Sequence, residues 1–327
     1  MSSLSHVDWE EARRKFRQLL EHFPSVTVLS HIRPDPDAVG SSLGVYHLLK
    51  SLGKRVEIAN ASREIPRTLD FLEGYKKIKW KMDYEDSLIV SCDCGSLDRL
   101  GFEGLEERTI VNLDHHVSNS RFGTLNVVDP AAVSTSEVAY RLFEGWLPVR
   151  KESAEAFYAA LISDTRHFTT SNVTAETFVL ARSLIERGAD PATIAQMMLQ
   201  RRSLASLRIL GKALESLRLY ADARVAIMRI SREDLAATGA TVSDLDGVVD
   251  YARSLVTVEV AALVVEMKNE IKVSLRSKGI NLLPVAEAFG GGGHREAVGF
   301  EVPDSDSDAL IKALLHRIEK EGVLTKQ

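Results

Sequence analysis

Apolar residues recur along the chain at two spacings, and the changes of spacing mark its elements. Trp9, Phe16, Leu19, Leu20 and Phe23 fall at helical intervals, so an amphipathic helix opens the chain and Pro24 closes it. Short β-rich runs follow at 26–30, 56–60, 88–91, 109–113 and 125–128, separated mostly by segments of helical or loop length. The runs are near-continuously apolar rather than alternating, as in strands covered on both faces. The first part therefore reads as α/β, a doubly wound and mainly parallel sheet.

Ser134-Thr135-Ser136-Glu137 fits a capping box opening a helix toward Trp146, and helices follow at about 154–163 and 175–187. Gly188 and Pro191 then punctuate the chain. Residues 191–219 read as a helical connector whose charges, among them Arg201, Arg202, Arg208, Lys212 and Arg218, form a solvated face. Beyond it come a strand at 224–230, helices near Asp234 and Val248, and two long β runs at 258–267 and 270–275 joined at Asn269 as a hairpin. A Gly-rich turn, a strand at 298–302 and a helix from about 308 to 320 complete the chain. The expected organisation is a domain over 1–190, a helical linker over 191–219 and a smaller mixed α/β domain over 220–327, with an active-site cleft between the two domains.

A length of 327 residues supports two such cores, and 45% hydrophobic with 27% charged residues excludes a disordered or low-complexity chain. Lys plus Arg number 41 against 46 Asp plus Glu, a net charge of -5, so binding to long nucleic acid is not expected and any anion must find a local site. The two cysteines, Cys92 and Cys94, are too few to staple a secreted scaffold, which points to the reducing cytoplasm. No secretory leader pattern opens the chain and no apolar run approaches the roughly 18 residues of a membrane span, so no membrane association is expected.

Titratable residues concentrate where these strands end, the place where open α/β sheets gather ligands. His31, Asp35 and Asp37 follow the first strand in a proline-stiffened turn; they suit a hard divalent cation, and alone they equally suit an Asp-Pro turn with a helix cap at Asp37. Asp93 ends the third strand between Cys92 and Cys94, which in an extended stretch point away from it and act as small core residues. Asp114, His115 and His116 end the fourth, and Asp164-Thr165 ends an apolar helical run. Convergence of these groups reads as a binuclear site: Asp35, Asp37, Asp93 and Asp164 balance two divalent cations, which activate water and clamp an in-line phosphoryl displacement. Oxygen and imidazole without thiolate favour Mn²⁺, with Mg²⁺ or Co²⁺ as alternatives. In the second domain Lys272, Ser274 and Arg276 share one strand face. Gly290 to Gly293 can bring backbone amides close to a phosphate, with Arg276, Lys278 and His294 nearby in sequence, although a glycine run alone also fits a flexible loop.

In order, His31 to Ser41, Asp93, Asp114-His115-His116, Asp164-Thr165 and Gly290 to Gly299 resemble the motifs of the DHH phosphoesterase superfamily with its DHH-associated C-terminal domain. The likeness covers nearly the whole chain, and its length resembles the bacterial nanoRNase branch. That resemblance implies a metal-dependent phosphoesterase cutting short oligoribonucleotides and dephosphorylating 3′-phosphoadenosine 5′-phosphate (pAp). It implies that His31, Asp35 and Asp93 hold one metal and Asp37, Asp93, His115 and Asp164 the other, Asp93 bridging, with Asp114 orienting its neighbours and His116 beside the scissile phosphate. Arg276, Ser277, Lys278, Gly291, Gly292, Gly293 and His294 match its substrate-binding positions, while Arg295-Glu296 departs from the apolar or small pair commoner there. A homodimer is one candidate assembly. The competing readings are a cyclic or linear dinucleotide phosphodiesterase, an inorganic pyrophosphatase of family II, disfavoured by the Gly-Gly-Gly-His motif, and a silent nucleotide-binding regulator.

Overall fold

A computed structural model describes residues 7–322, in which the chain divides into two compact units at the Arg201–Arg202 link. The first contains α1 (Trp9–His22), β1 (Ser25–Ser30), α2 (Pro36–Ser51), β2 (Arg55–Ala59), β3 (Leu88–Cys92), β4 (Ile110–Asp114), β5 (Leu125–Val128), α3 (Thr135–Phe143), α4 (Lys151–Asp164), α5 (Ala175–Glu186) and α6 (Pro191–Leu199). Its five strands are all parallel, in the order β2-β1-β3-β4-β5. The chain steps from β1 to β2 on one side, and then returns past β1 to run outward through β3, β4 and β5. The reversal leaves a crevice at the carboxyl ends of β1 and β3, where Ser30 pairs with Cys92.

Alternation along the strands fills two layers. Val26, Val28, Val90, Cys92, Val111 and Leu113 pack with residues of α1 to α4, whereas Leu29, Ile89 and Ile110 face Cys94, Leu100 and Leu105. Burial on both faces accounts for the unbroken apolar runs. The second layer is closed by irregular chain rather than α-helix, because the β3–β4 link carries Gly101 and Gly104 in left-handed conformations and forms only the 3₁₀ turn Asp98–Leu100.

One helix pair fixes the site. α2 and α4 run antiparallel in close apposition, and Gly40 and Gly44 make the approach feasible: a Cβ on Gly40 would lie 2.7 Å from the Ala156 carbonyl oxygen, and one on Gly44 2.2 Å from the Phe157 ring. Ser153 Oγ donates to the Gly44 carbonyl at 3.1 Å across the same seam. The start of α2, with Asp37, is thereby held beside the end of α4, with Asp164.

The second unit contains α7 (Leu204–Ser216), β6 (Arg218–Tyr220), β7 (Val225–Ile230), α8 (Arg232–Thr238), α9 (Val248–Arg253), β8 (Val260–Glu266), β9 (Glu270–Ser277), α10 (Leu283–Glu287), β10 (Gly292–His294), β11 (Ala297–Pro303) and α11 (Ser307–Lys320). Its sheet, β10-β11-β9-β8-β7-β6, is antiparallel except between β7 and β8, and β8–β9 is the hairpin expected from the sequence. α10 and α11 cover one face, α7 and α9 part of the other. The helical stretch 191–219 is shared: α6 belongs to the first unit and α7 to the second, where Ser203 caps it by accepting from Ser206 N at 2.9 Å. Its last two residues turn into strand β6, since Arg218 and Leu219 pair with Ile227 and Ala226. Among the described residues no helix is long and apolar enough to cross a membrane.

Candidate metal centre

Seven side chains that could ligate a metal meet at the carboxyl end of the first sheet, with Asp114 behind them. His31 leaves β1 buried, with Nδ1 2.8 Å from the Ile32 carbonyl oxygen. A carbonyl only accepts, so Nδ1 carries a proton, and Nε2, which lies 3.5 Å from Asp93 Oδ2, is the nitrogen that becomes the free acceptor when the ring is neutral. His115 is set the same way: Nδ1 is 3.3 Å from the Ala132 carbonyl, and Nε2 lies 3.3 Å from Asp164 Oδ2, 3.7 Å from Asp93 Oδ1 and 3.8 Å from Asp37 Oδ2. An imidazole whose other nitrogen is tied to a backbone carbonyl is the usual arrangement of a metal-ligating histidine. His116 differs, because its Nδ1 donates to Asp114 Oδ1 at 2.7 Å.

The carboxylates are held by different devices. Asp35 caps α2 by accepting from Ala38 N at 3.0 Å, so the cap falls there and Asp37 lies one residue inside the helix. Asp37 Oδ1 accepts from Ser41 Oγ at 2.8 Å. Its Oδ2 accepts from Thr135 N, also at 2.8 Å. Asp93 has φ +58°, a left-handed residue that breaks the extended path expected through Cys92-Asp93-Cys94. The kink sends Cys92 into the helix-covered layer and Cys94 into the opposite one, both as free thiols. Burial pushes the Cys94 thiol up to about 12 and Cys92 higher still, so neither offers a thiolate. Asp114, wholly buried, receives His116 and the His115 amide at 2.8 Å on Oδ1, and Asn119 Nδ2 at 2.5 Å on Oδ2.

Charge in the cluster is unbalanced. Burial raises the Asp93 carboxyl, but the surrounding imidazoles, His31 foremost, outweigh it and hold the group well below the usual carboxylate range. Asp37 is pushed far above that range by burial and then by Asp93 and Asp164. Asp164 is about a third exposed, yet loss of hydration, followed by the charges of Asp93 and Asp35, carries it up to about 8. Burial pulls His116 down, and its bond to Asp114 together with the Asp93 charge lifts it to about 9. Protons thus stand in for positive charge that the protein does not supply.

Three groupings have ligand atoms within 4.8 Å of one another: His31, Asp35 and Asp93; Asp37, His115 and Asp164; and Asp93, His115 and His116. Asp93 belongs to two of them. This donor set, carboxylate oxygen and imidazole nitrogen with both thiols protonated, fits divalent cations of the hard to borderline kind. Sequence reasoning missed Asn119 and the role of Thr135, because each lies in a segment whose local pattern reads only as a turn or a helix cap.

The predicted residues of the second unit are placed differently. Lys272, Ser274 and Arg276 alternate with the buried Ile271, Val273 and Leu275, as the pattern predicts. On β11 they face Glu301, Gly299 and Ala297. Ser277 is buried, and its hydroxyl donates to the Ile280 carbonyl at 2.6 Å, closing a turn. Lys278 Nζ donates to the Leu255 carbonyl at 2.6 Å. Gly291 and Gly293 are closely packed, and Gly290 and Gly291 donate to the Glu287 and Ala286 carbonyls at the end of α10. Gly292 and Gly293 enter β10. A Cβ at Gly291 would lie 2.3 Å from the Gly299 carbonyl oxygen, and Gly293 adopts φ +139°. The side chain of His294 lies outside the described residues.

The N-terminal domain model of the DHH family matches residues 25–162, and the DHHA1 domain model matches residues 222–320. In sequence the chain is 29% identical, over 96% of its length and 95% of the relative's, to the bifunctional oligoribonuclease and PAP phosphatase NrnA of Thermus thermophilus. It is 26% identical to the Bacillus subtilis enzyme of the same name over 91% of this chain and 96% of that one. Among solved structures it resembles an exopolyphosphatase-related protein from Bacteroides fragilis, with TM-score 0.88, 27% identity and coverage of 95% and 96% of the two chains.

Proposed function

Because the chain belongs to the DHH family, we propose that it is a two-cation phosphoesterase that hydrolyses short oligoribonucleotides to mononucleotides and removes a phosphate from pAp. The observation that carries this reading is the convergence of Asp35, Asp37, Asp93, Asp164, His31 and His115, with the acceptor nitrogens of both imidazoles turned inward. His31, Asp35 and Asp93 would hold one cation, and Asp37, Asp93, His115 and Asp164 the other. Two such cations, Mn²⁺ being the best match to the donors, supply Lewis acidity toward a phosphoryl oxygen and lower the pKa of water.

The remaining residues act on the substrate themselves. His116, protonated near neutrality and held on Nδ1 by Asp114, presents the rest of its ring as a cationic donor for a phosphoryl oxygen gaining charge. Asp114 keeps that ring in one orientation, and Asn119 keeps Asp114. In the second unit, Arg276 on the half-exposed strip of β9 takes the phosphate remote from the cut, so substrates with two phosphates gain binding energy that a simple diester lacks. Ser277 supports that grip through the turn it closes rather than by touching substrate.

One panel tests the reading: pApA, pAp, cyclic di-AMP and pyrophosphate, each with Mn²⁺ and with chelator. Metal-dependent turnover of pApA and pAp is expected, with cyclic di-AMP and pyrophosphate much slower. Preference for cyclic di-AMP would transfer the chain to the dinucleotide-phosphodiesterase reading, and no turnover of any of the four would leave the silent regulator. Arg276→Ala should raise KM for pApA about tenfold or more while barely changing an aryl phosphodiester; equal losses on both refute the grip.

A further inference from the structure

Asp37 and Asp93 stand on different elements, and their like charges repel in a buried site; Asp93 is the first charge among the causes that raise Asp37. α3 begins between them. Ser134, its N-cap, accepts from Glu137 N at 3.3 Å, while the Glu137 carboxylate accepts from Val133 N at 2.9 Å instead of closing a capping box on Ser134. The first two amides of the helix have no partner within it. Both turn to Asp37: Thr135 N donates to Oδ2 at 2.8 Å, and Ser136 N approaches Oδ1 at 3.4 Å. The Thr135 hydroxyl takes the other carboxylate, donating to Asp93 Oδ1 at 2.9 Å. Thr135 is wholly buried, so water does not compete for either bond.

Resting on the two-cation reading above, we infer that Thr135 is a positioning residue that sets the spacing and aim of Asp37 and Asp93. One residue donates to two mutually repelling carboxylates, from its backbone N–H and its side-chain hydroxyl. With its Oδ1 anchored, Asp93 keeps Oδ2 toward His31 Nε2, and with its Oδ2 anchored, Asp37 stays on the side facing His115. The cap motif therefore does more than start a helix: it ties together two ligands that lie 98 and 42 residues away in sequence. Serine at this position supplies both donors, and valine, of nearly the same shape, supplies only the N–H.

The test uses the full chain stripped by chelator, with Mn²⁺ titrated calorimetrically into wild type, Thr135→Val and Thr135→Ser, and the melting temperature of each metal-free form recorded. Two Mn²⁺ per chain are expected for wild type. Thr135→Val should weaken at least one of them by about 10- to 100-fold, the range seen when groups that orient metal ligands are removed, and Thr135→Ser should stay within about threefold of wild type. Thr135→Ala repeats the measurement should the valine variant not fold. Wild-type affinity in either hydroxyl-free variant, or a lowered melting temperature with affinity unchanged, overturns the inference. A wild-type chain that takes up no Mn²⁺ overturns the two-cation reading and this role with it.

Discussion

Substituting Gly40 by alanine sets two effects of opposite sign against each other. Alanine inside a helix is favoured over glycine by about 1 kcal/mol, so on propensity alone the variant should be more stable. The structure predicts the reverse. The new Cβ would lie 2.7 Å from the Ala156 carbonyl oxygen and 2.9 Å from the Ala160 Cβ, roughly 0.7 Å inside ordinary contact at the closer atom. Neither neighbour is the end of a flexible side chain, so relief requires α2 and α4 to separate. Overpacking of that kind costs about 1–3 kcal/mol, which leaves a net loss of up to roughly 2 kcal/mol once the propensity gain is subtracted. The same separation carries Asp37 away from Asp164, which now flank His115 Nε2 at 3.8 and 3.3 Å. A shift of even half an ångström is large against metal–ligand bonds, so Mn²⁺ affinity should fall about tenfold or more together with the stability. Urea denaturation of the metal-free protein gives the first quantity, and calorimetric titration of Mn²⁺ gives the second. A Gly40→Ala variant more stable than wild type, with unchanged Mn²⁺ affinity, would refute the claim that this seam sets the site.

Further consequences follow from the cluster's electrostatics. With Asp164 raised to about 8 and Asp37 also raised, the metal-free site holds protons at pH 7, so Mn²⁺ binding should release at least one and the apparent affinity should climb from pH 6 to pH 8. Binding heats that do not vary with buffer ionisation enthalpy would contradict this. Because the folded-state pKa of Asp164 lies above its ordinary value of 3.8, the metal-free fold should lose stability as pH rises from about 4 toward 8, and saturating Mn²⁺ should abolish that slope in thermal melts. Asp114→Asn keeps the shape but weakens the acceptor for His116 Nδ1; kcat on pApA should drop about 100-fold or more with little change in KM, and a variant altered only in KM would remove His116 from transition-state stabilisation.

Strand runs, the β8–β9 hairpin and most of the helices were legible in the linear pattern because each depends on a local periodicity. The groups that fill the site were legible for a related reason: parallel strands must deliver their C-terminal residues to one edge, so His31, Asp93 and Asp114 to His116 converge in any parallel sheet that pairs these runs. Local pattern failed where a partner distant in sequence decides the outcome. The path at Asp93 bends because a left-handed residue turns its carboxylate into the cluster, and this also assigns Cys92 and Cys94 to different layers. The Gly-rich segment reads as a turn that brings amides to a phosphate or as a flexible loop, and neither reading shows that Gly299 and Phe300 on β11 press against Gly291 and leave no room for a side chain. Ser134 to Glu137 reads as a helix start, yet its first amides and one hydroxyl belong to carboxylates on other elements. The sequence by itself determined which residues could carry the chemistry and at which strand ends they would stand. Only the tertiary structure decided their spacing, because spacing comes from how closely α2 packs on α4 and from what α3 donates, and both are contacts between segments that no local pattern connects.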